Sequence, residues 1–156
     1  MGTQKAVFAA GCFWGVEEAF RELKGVVSTR AGYTGGETEN PSYKDVSSGK
    51  TGHTEAVMVE FDPAVISYNE LLDLFWEIHD PTTLNRQGPD IGEQYKSAIF
   101  TLNREQEAAA GESKKRLDRS GIFSRPVTTE IKPAGIFYEA EEYHQQYLHK
   151  RGLSHC

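Results

Sequence analysis

Cys12 is the residue whose surroundings suit it best for chemistry. It lies in Ala9-Ala10-Gly11-Cys12-Phe13-Trp14-Gly15-Val16-Glu17-Glu18. A short apolar run, Ala6 to Ala10, leads in. A helical pattern leads out, with Val16, Ala19, Phe20 and Leu23 on one face. Glu17 and Glu18 are expected in the first turn, Arg21 and Lys24 in the last, and Gly25 is a stop. Cys12 is therefore expected at a strand-to-helix turn, against the positive end of a helix. A thiol there is stabilised as the thiolate, which is the nucleophilic form. Gly11 and Gly15 allow close approach to the backbone, and Phe13 and Trp14 can wall an apolar pocket. On position alone, Cys12 is equally a small buried residue filling a turn.

A carboxylate supplies the complementary chemistry. His53 to Asp62 alternates as a strand does. Val57, Val59 and Phe61 share one face, and Glu55 is on it. A carboxylate aimed at an apolar layer is desolvated and its pKa rises, and the protonated acid is a general acid. Glu55 also lies near the strand's start, where it could reach water.

The elements that must position these residues alternate in type. Strands are expected at Lys5 to Ala10, Val26 to Tyr33, His53 to Asp62, Ser97 to Leu102 and Val127 to Lys132, the last at an edge. Helices are expected at Phe13 to Lys24, behind the Ser67/Glu70 capping box, from Asn103 and Gln106 to Arg119, and from Glu139 to Lys150. In the last, Tyr143, Tyr147 and Leu148 have inward spacing. Glu37 to Gly52 and Thr82 to Gln94 read as long polar loops, a class that is often functional. The order βαββαβ, then αβα, predicts an α+β two-layer sandwich. Its first six elements match a ferredoxin-like core, giving a mixed sheet with helices packed on it.

Bulk properties narrow the class. The 156 residues suit one domain, 38% are hydrophobic, and the net charge is -6. The acidic balance argues against nucleic acid as partner. No apolar run is long enough to span a bilayer and no signal segment is evident, so a reducing, cytoplasmic setting is expected. The two cysteines, Cys12 and Cys156, point toward reactivity rather than a disulfide scaffold. His53, His79, His149 and His155 have no metal-site spacing, and no cofactor is expected.

Gly11-Cys12-Phe13-Trp14-Gly15 resembles the active-site motif of the methionine sulfoxide reductase A family. Four further blocks follow in the family's order. Gly52-His53-Thr54-Glu55-Ala56-Val57 is similar to the segment around its catalytic glutamate. Gly35-Gly36-Glu37-Thr38-Glu39-Asn40-Pro41-Ser42-Tyr43 resembles its Gly-Gly…Asn-Pro-x-Tyr stretch. The segment from Asn85 to Ser97 resembles another block, although the family often has Asn at Pro89 and Arg at Lys96. Glu142 to Leu148 resembles the last, and His144 within it reads as structural.

The resemblance covers nearly the whole chain. It implies thiol-dependent reduction of methionine-S-sulfoxide, free or in proteins and peptides, to methionine, repairing oxidised proteins. It implies that Phe13 and Trp14 hold the substrate's methyl group. Tyr43 and Tyr95 would hold the sulfoxide oxygen, as neutral phenols can. Asp90 would belong to the same site, and Glu55 would give the proton. Cys12 would become a sulfenic acid. Cys156 would resolve it as a Cys12–Cys156 disulfide, reopened by thioredoxin or a similar dithiol. Better-known members carry a longer tail with two recycling cysteines. Here the expectation is one catalytic domain over 1–156, a monomer, with 150–156 a flexible tail. Six extended residues past Lys150 span about 20 Å, enough to reach Cys12. Two other readings stay open on the residues alone: a thiol hydrolase with a histidine base, and a redox-sensing or sulfoxide-binding module without turnover.

Overall fold

Every residue from Ala6 to Ala10 is buried, which fits a strand flanked on both sides and covered on both faces. The computed structural model describes residues 2–153; Met1 and residues 154–156, hence Cys156, lie outside the described residues. The first strand, β1 (Gln4–Ala10), pairs antiparallel with β3 (Thr54–Phe61) and β6 (Ser97–Thr101). On β3's far side lies β2 (Val26–Thr34), and β8 (Tyr138–Glu139) closes that edge. At the other edge β7 (Glu130–Pro133) runs parallel to β6. The order β7-β6-β1-β3-β2-β8 contains the ferredoxin-like arrangement β6-β1-β3-β2. The fold is the expected α+β one, a mixed six-stranded sheet with helices packed on it.

Alternation divides the sheet's side chains between two apolar layers. Ala6, Phe8, Val57, Val59, Phe61 and Ile99 face α1 (Phe13–Arg21), α3 (Tyr68–Glu77) and α4 (Arg104–Ser120). Val7, Ala9, Ala56, Ala98 and Phe100 form the opposite layer, closed by Ala134 and Phe137. Phe8 is the hub of the helix-side layer, with ring centroids 4.9 Å from Phe20 and 5.4 Å from Phe75. The capping box before α3 forms as its spacing predicts: Ser67 Oγ accepts from the Glu70 amide and Glu70 Oε1 from the Ser67 amide. Asn103 caps α4, but Gln106 does not complete a box; its side chain accepts from the Leu102 amide and donates to the Lys5 carbonyl, tying α4 to β1.

Several elements differ from expectation for identifiable reasons. The first helix ends at Arg21, and Glu17 and Glu18 lie beyond its first turn, so their charges are not the dipole complement expected there. Glu17 is buried instead. Its carboxylate accepts from the Thr29 hydroxyl at 2.7 Å and from the Gln146 amide at 2.7 Å. The first polar loop contains a short helix, α2 (Tyr43–Ser47), started by a Ser42/Asp45 capping box. The second contains a hairpin of β4 (Arg86–Gln87) and β5 (Asp90–Ile91). The expected last helix is broken into β8, one 3-10 turn at Glu142–His144, and α5 (Tyr147–Lys150). The cause is Gln145. Its side-chain amide meets both the N–H and the carbonyl of Ala31, as a neighbouring strand would, and donates to the Ala140 carbonyl. Gln146 then takes a left-handed conformation, φ 51°. Leu148 is buried as expected, whereas Tyr143 is 57% exposed.

Because Phe8 joins three aromatic neighbours at the centre, Phe8→Ala is expected to cost about 3–5 kcal/mol of stability. Urea unfolding should show a lower midpoint with an unchanged slope.

Candidate active site

The strand-to-helix turn places Cys12 as the sequence predicts. After Ala10 the chain turns at Gly11, φ +96°, and Cys12 occupies the N-cap of α1. A side chain at position 11 would strike Gln87, whose Cβ and Cγ lie 2.9 Å from where its Cβ would stand. Gln87 is itself held by the Asp80 amide and carbonyl and by the Thr83 hydroxyl. The β4–β5 hairpin is thereby docked directly behind the cysteine, and only glycine fits between them. Cys12 is half-buried and its side chain makes no capping hydrogen bond to the helix.

The first amide of α1 is capped by Glu55. The Phe13 N–H, which no intrahelical acceptor can reach, donates to Glu55 Oε1 at 3.1 Å. Glu55 is 1% exposed, on the helix-side face of β3 as alternation predicts, and does not reach water at the strand's start. Its second oxygen, Oε2, is buried without a hydrogen-bond partner among the described residues. Burial pushes the carboxyl up to about 8; the Phe13 amide opposes this, and the nearby charge of Asp90 adds to it. Near neutral pH the protonated acid predominates. Directly across the β2–β3 ladder stands Tyr33, yet its hydroxyl donates to Glu141 and not to Glu55.

The phenols and Asp90 converge on the same spot. Burial raises the Tyr43 phenol, and the charges of Glu55 and Cys12 raise it further; hydrogen bonds with Ser47 and Tyr95 act in the opposite sense. Tyr95, in a 3-10 turn at Glu93–Tyr95, is raised by burial and then by Glu55, Tyr43, Asp90 and Cys12. Both phenols are neutral donors. Asp90 reaches the site from β5 through the hairpin that Gln87 anchors. Of the departures from the family pattern, Pro89 sits exposed at the hairpin's tip, while buried Lys96 pairs with Glu130 at 3.1 Å.

Phe13 and Trp14 form a wall, braced from the C-terminal segment. Phe13 is 1% exposed, with Tyr33 and His144 rings at 5.7 and 5.3 Å. The Trp14 indole N–H donates to His144 Nδ1 at 2.9 Å, and its ring stacks on Tyr147 at 3.8 Å and 7°. Accepting at Nδ1 requires the His144 proton on Nε2, and burial, against the pull of Glu141, holds this histidine below the usual imidazole range. His144 thus has a definite task, orienting Trp14.

Cys12, Phe13, Trp14, Tyr43, Glu55, Asp90 and Tyr95 are brought together; Cys156 lies outside the described residues. Sequence reasoning missed Glu141, whose Oε1 accepts from Tyr33 and whose Oε2 accepts from the Tyr43 amide, and the bracing by Tyr147. These partners are about a hundred residues apart, and no local spacing marks them. Among the described residues no three His, Cys, Asp or Glu side chains form a metal ion's donor set. The arrangement is a thiol nucleophile beside a protonated carboxyl, two neutral phenols and an apolar wall. It suits attack on a neutral polar group that must take up a proton.

Comparison with known proteins agrees. The sequence pattern of peptide methionine sulfoxide reductase matches residues 4–156. The peptide methionine sulfoxide reductase MsrA of Methanothermobacter thermautotrophicus is 63% identical over 153 residues, 98% of this chain and 90% of that one. The reduced form of Mxr1 from Saccharomyces cerevisiae has a TM-score of 0.92 at 36% identity, covering 99% of this chain and 89% of that one. Mxr1 in complex with Trx2 has a TM-score of 0.67 at 27% identity, covering 94% and 85%. The near-complete match in sequence, carried on the same fold, means that the chain belongs to the peptide methionine sulfoxide reductase family.

Proposed function

We propose that this chain reduces methionine-S-sulfoxide, in proteins, peptides or free, to methionine, with Cys12 as nucleophile and Glu55 as general acid. The observation that carries this reading is the buried Glu55 carboxyl: one oxygen caps the helix that Cys12 begins and the other has no partner among the described residues. The substrate's methyl group rests against Phe13 and Trp14. Its oxygen takes hydrogen bonds from Glu55, Tyr43 and Tyr95, with Asp90 beside them. The Cys12 thiolate attacks the sulfoxide sulfur, forming an S–S bond, while Glu55 protonates the oxygen. The hydroxyl then passes to the Cys12 sulfur as the substrate's S–O bond and the S–S bond break, so methionine leaves as the sulfide and Cys12 is left, oxidised by two electrons, as a sulfenic acid.

The Cys156 thiol then attacks that sulfur, water departs, and a Cys12–Cys156 disulfide forms. A dithiol opens it by exchange, so that sulfoxide and dithiol become sulfide, disulfide and water. Thioredoxin is the proposed reductant; the yeast relative Mxr1 forms a complex with Trx2. Residues 1–156 act as one catalytic domain; residues 150–153 are held by backbone hydrogen bonds to Gln146, Leu148 and His149, and Cys156 lies outside the described residues. Oxidised proteins and peptides are the substrates, and the two-cysteine content supports a reducing, cytoplasmic setting. Among the described residues no helix is long and apolar enough to cross a membrane. A hydrolase would need a histidine base, but His53 and His79 have both ring nitrogens bonded elsewhere, and His144 gives Nδ1 to Trp14.

A positioned proton donor contributes roughly 10²–10⁴-fold, so Glu55→Gln should slow single-turnover methionine formation at least tenfold with the fold intact. An unchanged rate would remove Glu55 from the role. Because its pKa is raised, Glu55 is protonated below about pH 8 and ionised above it. The single-turnover rate should therefore fall as pH rises through that value, and Glu55→Gln should lack this descending limb. Cys156→Ser should leave the single turnover intact and abolish multiple turnover with thioredoxin as sole reductant. Full multiple turnover would make Cys156 dispensable.

A further inference from the structure

Tyr43 is delivered by an element with little support of its own. Its helix, α2, has five residues, and the Ser42/Asp45 box that starts it is internal to the helix. Val46 is buried in the core below, and the Glu37 amide bonds to the Thr51 carbonyl at the loop's base. Tyr43 is the first helical residue, so its own N–H has no intrahelical acceptor. That N–H donates to Glu141 Oε2 at 3.0 Å.

The other Glu141 oxygen goes to the sheet. Oε1 accepts from the Tyr33 hydroxyl at 2.9 Å, and Tyr33 is fully buried in β2, opposite Glu55 in the ladder. One carboxylate therefore ties the backbone of the residue carrying a phenol to the strand position paired with the acid. The backbone next to Glu141 is itself fixed. The Ala140 amide donates to the Ala31 carbonyl at 2.9 Å, and Gln145 Nε2 donates to the Ala140 carbonyl at 2.9 Å. Burial raises Glu141, but the Tyr43 amide, its own amide, the Tyr33 hydroxyl and His144 together outweigh it and hold the group below the usual carboxylate range, so it accepts as an anion.

We propose that Glu141 is a positioning residue for the reduction: by bridging the Tyr33 hydroxyl and the Tyr43 amide, it sets where the Tyr43 hydroxyl stands relative to Glu55. The proposal rests on the reading that Tyr43 donates to the sulfoxide oxygen. A misplacement of about 1 Å can cost about 10²-fold. The phenol lies at the far end of its side chain, so a small shift of the Tyr43 backbone moves the hydroxyl by more. Negative charge grows on the oxygen as the S–O bond breaks, so the loss should appear in the rate at saturation rather than in binding.

The test is single-turnover methionine formation against concentration of a methionine-S-sulfoxide peptide, for Glu141→Ala, Glu141→Gln, Tyr33→Phe, Tyr43→Phe and the Glu141→Ala/Tyr43→Phe double variant. Glu141→Ala should lower the saturating rate about tenfold with little change in half-saturation. In the Tyr43→Phe background the same change should cost almost nothing more. Glu141→Gln keeps an oxygen for the Tyr43 amide and should recover most of the rate. Independent, multiplicative losses would overturn the proposal, as would a loss confined to half-saturation. A wild-type rate for Tyr43→Phe would overturn the Tyr43 reading and the proposal with it; slow Tyr43→Phe without coupling would overturn the proposal alone. If Glu141→Ala does not fold, Tyr33→Phe carries the same comparison, with a smaller loss that must also vanish beside Tyr43→Phe.

Discussion

The hydrogen bond from the Phe13 amide to Glu55 joins the two halves of the chemistry. It satisfies a helix-end donor that Cys12 leaves unused, and it does so with a residue on the middle of the sheet. A neutral acceptor would cap the helix equally well. Burial gives Glu55 its second property, a proton retained near neutral pH against the pull of the amide. The group that starts the helix of Cys12 is thus also the group that the proposed mechanism uses to protonate the leaving oxygen. Their separation is set by the register of β1 against β3, which no loop can alter without moving the core.

The C-terminal segment works as a clamp across this centre. Gln145 mimics a strand against β2, the Gln146 amide caps Glu17 on α1, His144 and Tyr147 hold Trp14, and Glu141 holds Tyr43. Each bond is modest, worth about 0.5–1.5 kcal/mol for a neutral pair and about 1.5–3 kcal/mol where one partner is charged. Together they let one irregular stretch orient both the Trp14 ring and the Tyr43 backbone. In the interior of a regular helix the Gln146 amide would be bonded internally and could not reach Glu17.

What could be read before folding was whatever depended on local periodicity. Alternation put Glu55 on the apolar face, and glycine beside an apolar run put Cys12 at a turn before a helix. The Ser67/Glu70 spacing marks a real capping box; the equivalent Ser42/Asp45 spacing lies in a polar stretch that reads as loop, which hides α2. The helical spacing of Tyr143, Tyr147 and Leu148 was real in type and wrong in consequence. Gln145 and Gln146 found partners on β2 and α1 that outcompeted the helix. Glu17 differs in the same way: it reads as a first-turn charge complementing the helix dipole and proves buried against Thr29. The family blocks pointed to the site residues, but the bonds that hold those residues in place run between segments that local patterns cannot connect.

The central claim is that Cys12 takes the oxygen from the sulfoxide. The most direct measurement uses the Cys156→Ser chain without reductant, mixed with excess methionine-S-sulfoxide peptide, with methionine counted and the oxidised residue located by mass. The account predicts about one methionine per chain and one added oxygen on Cys12, removable by a thiol. Methionine formed with Cys12 unmodified, or no methionine from a folded chain with Cys12 reduced, would contradict it.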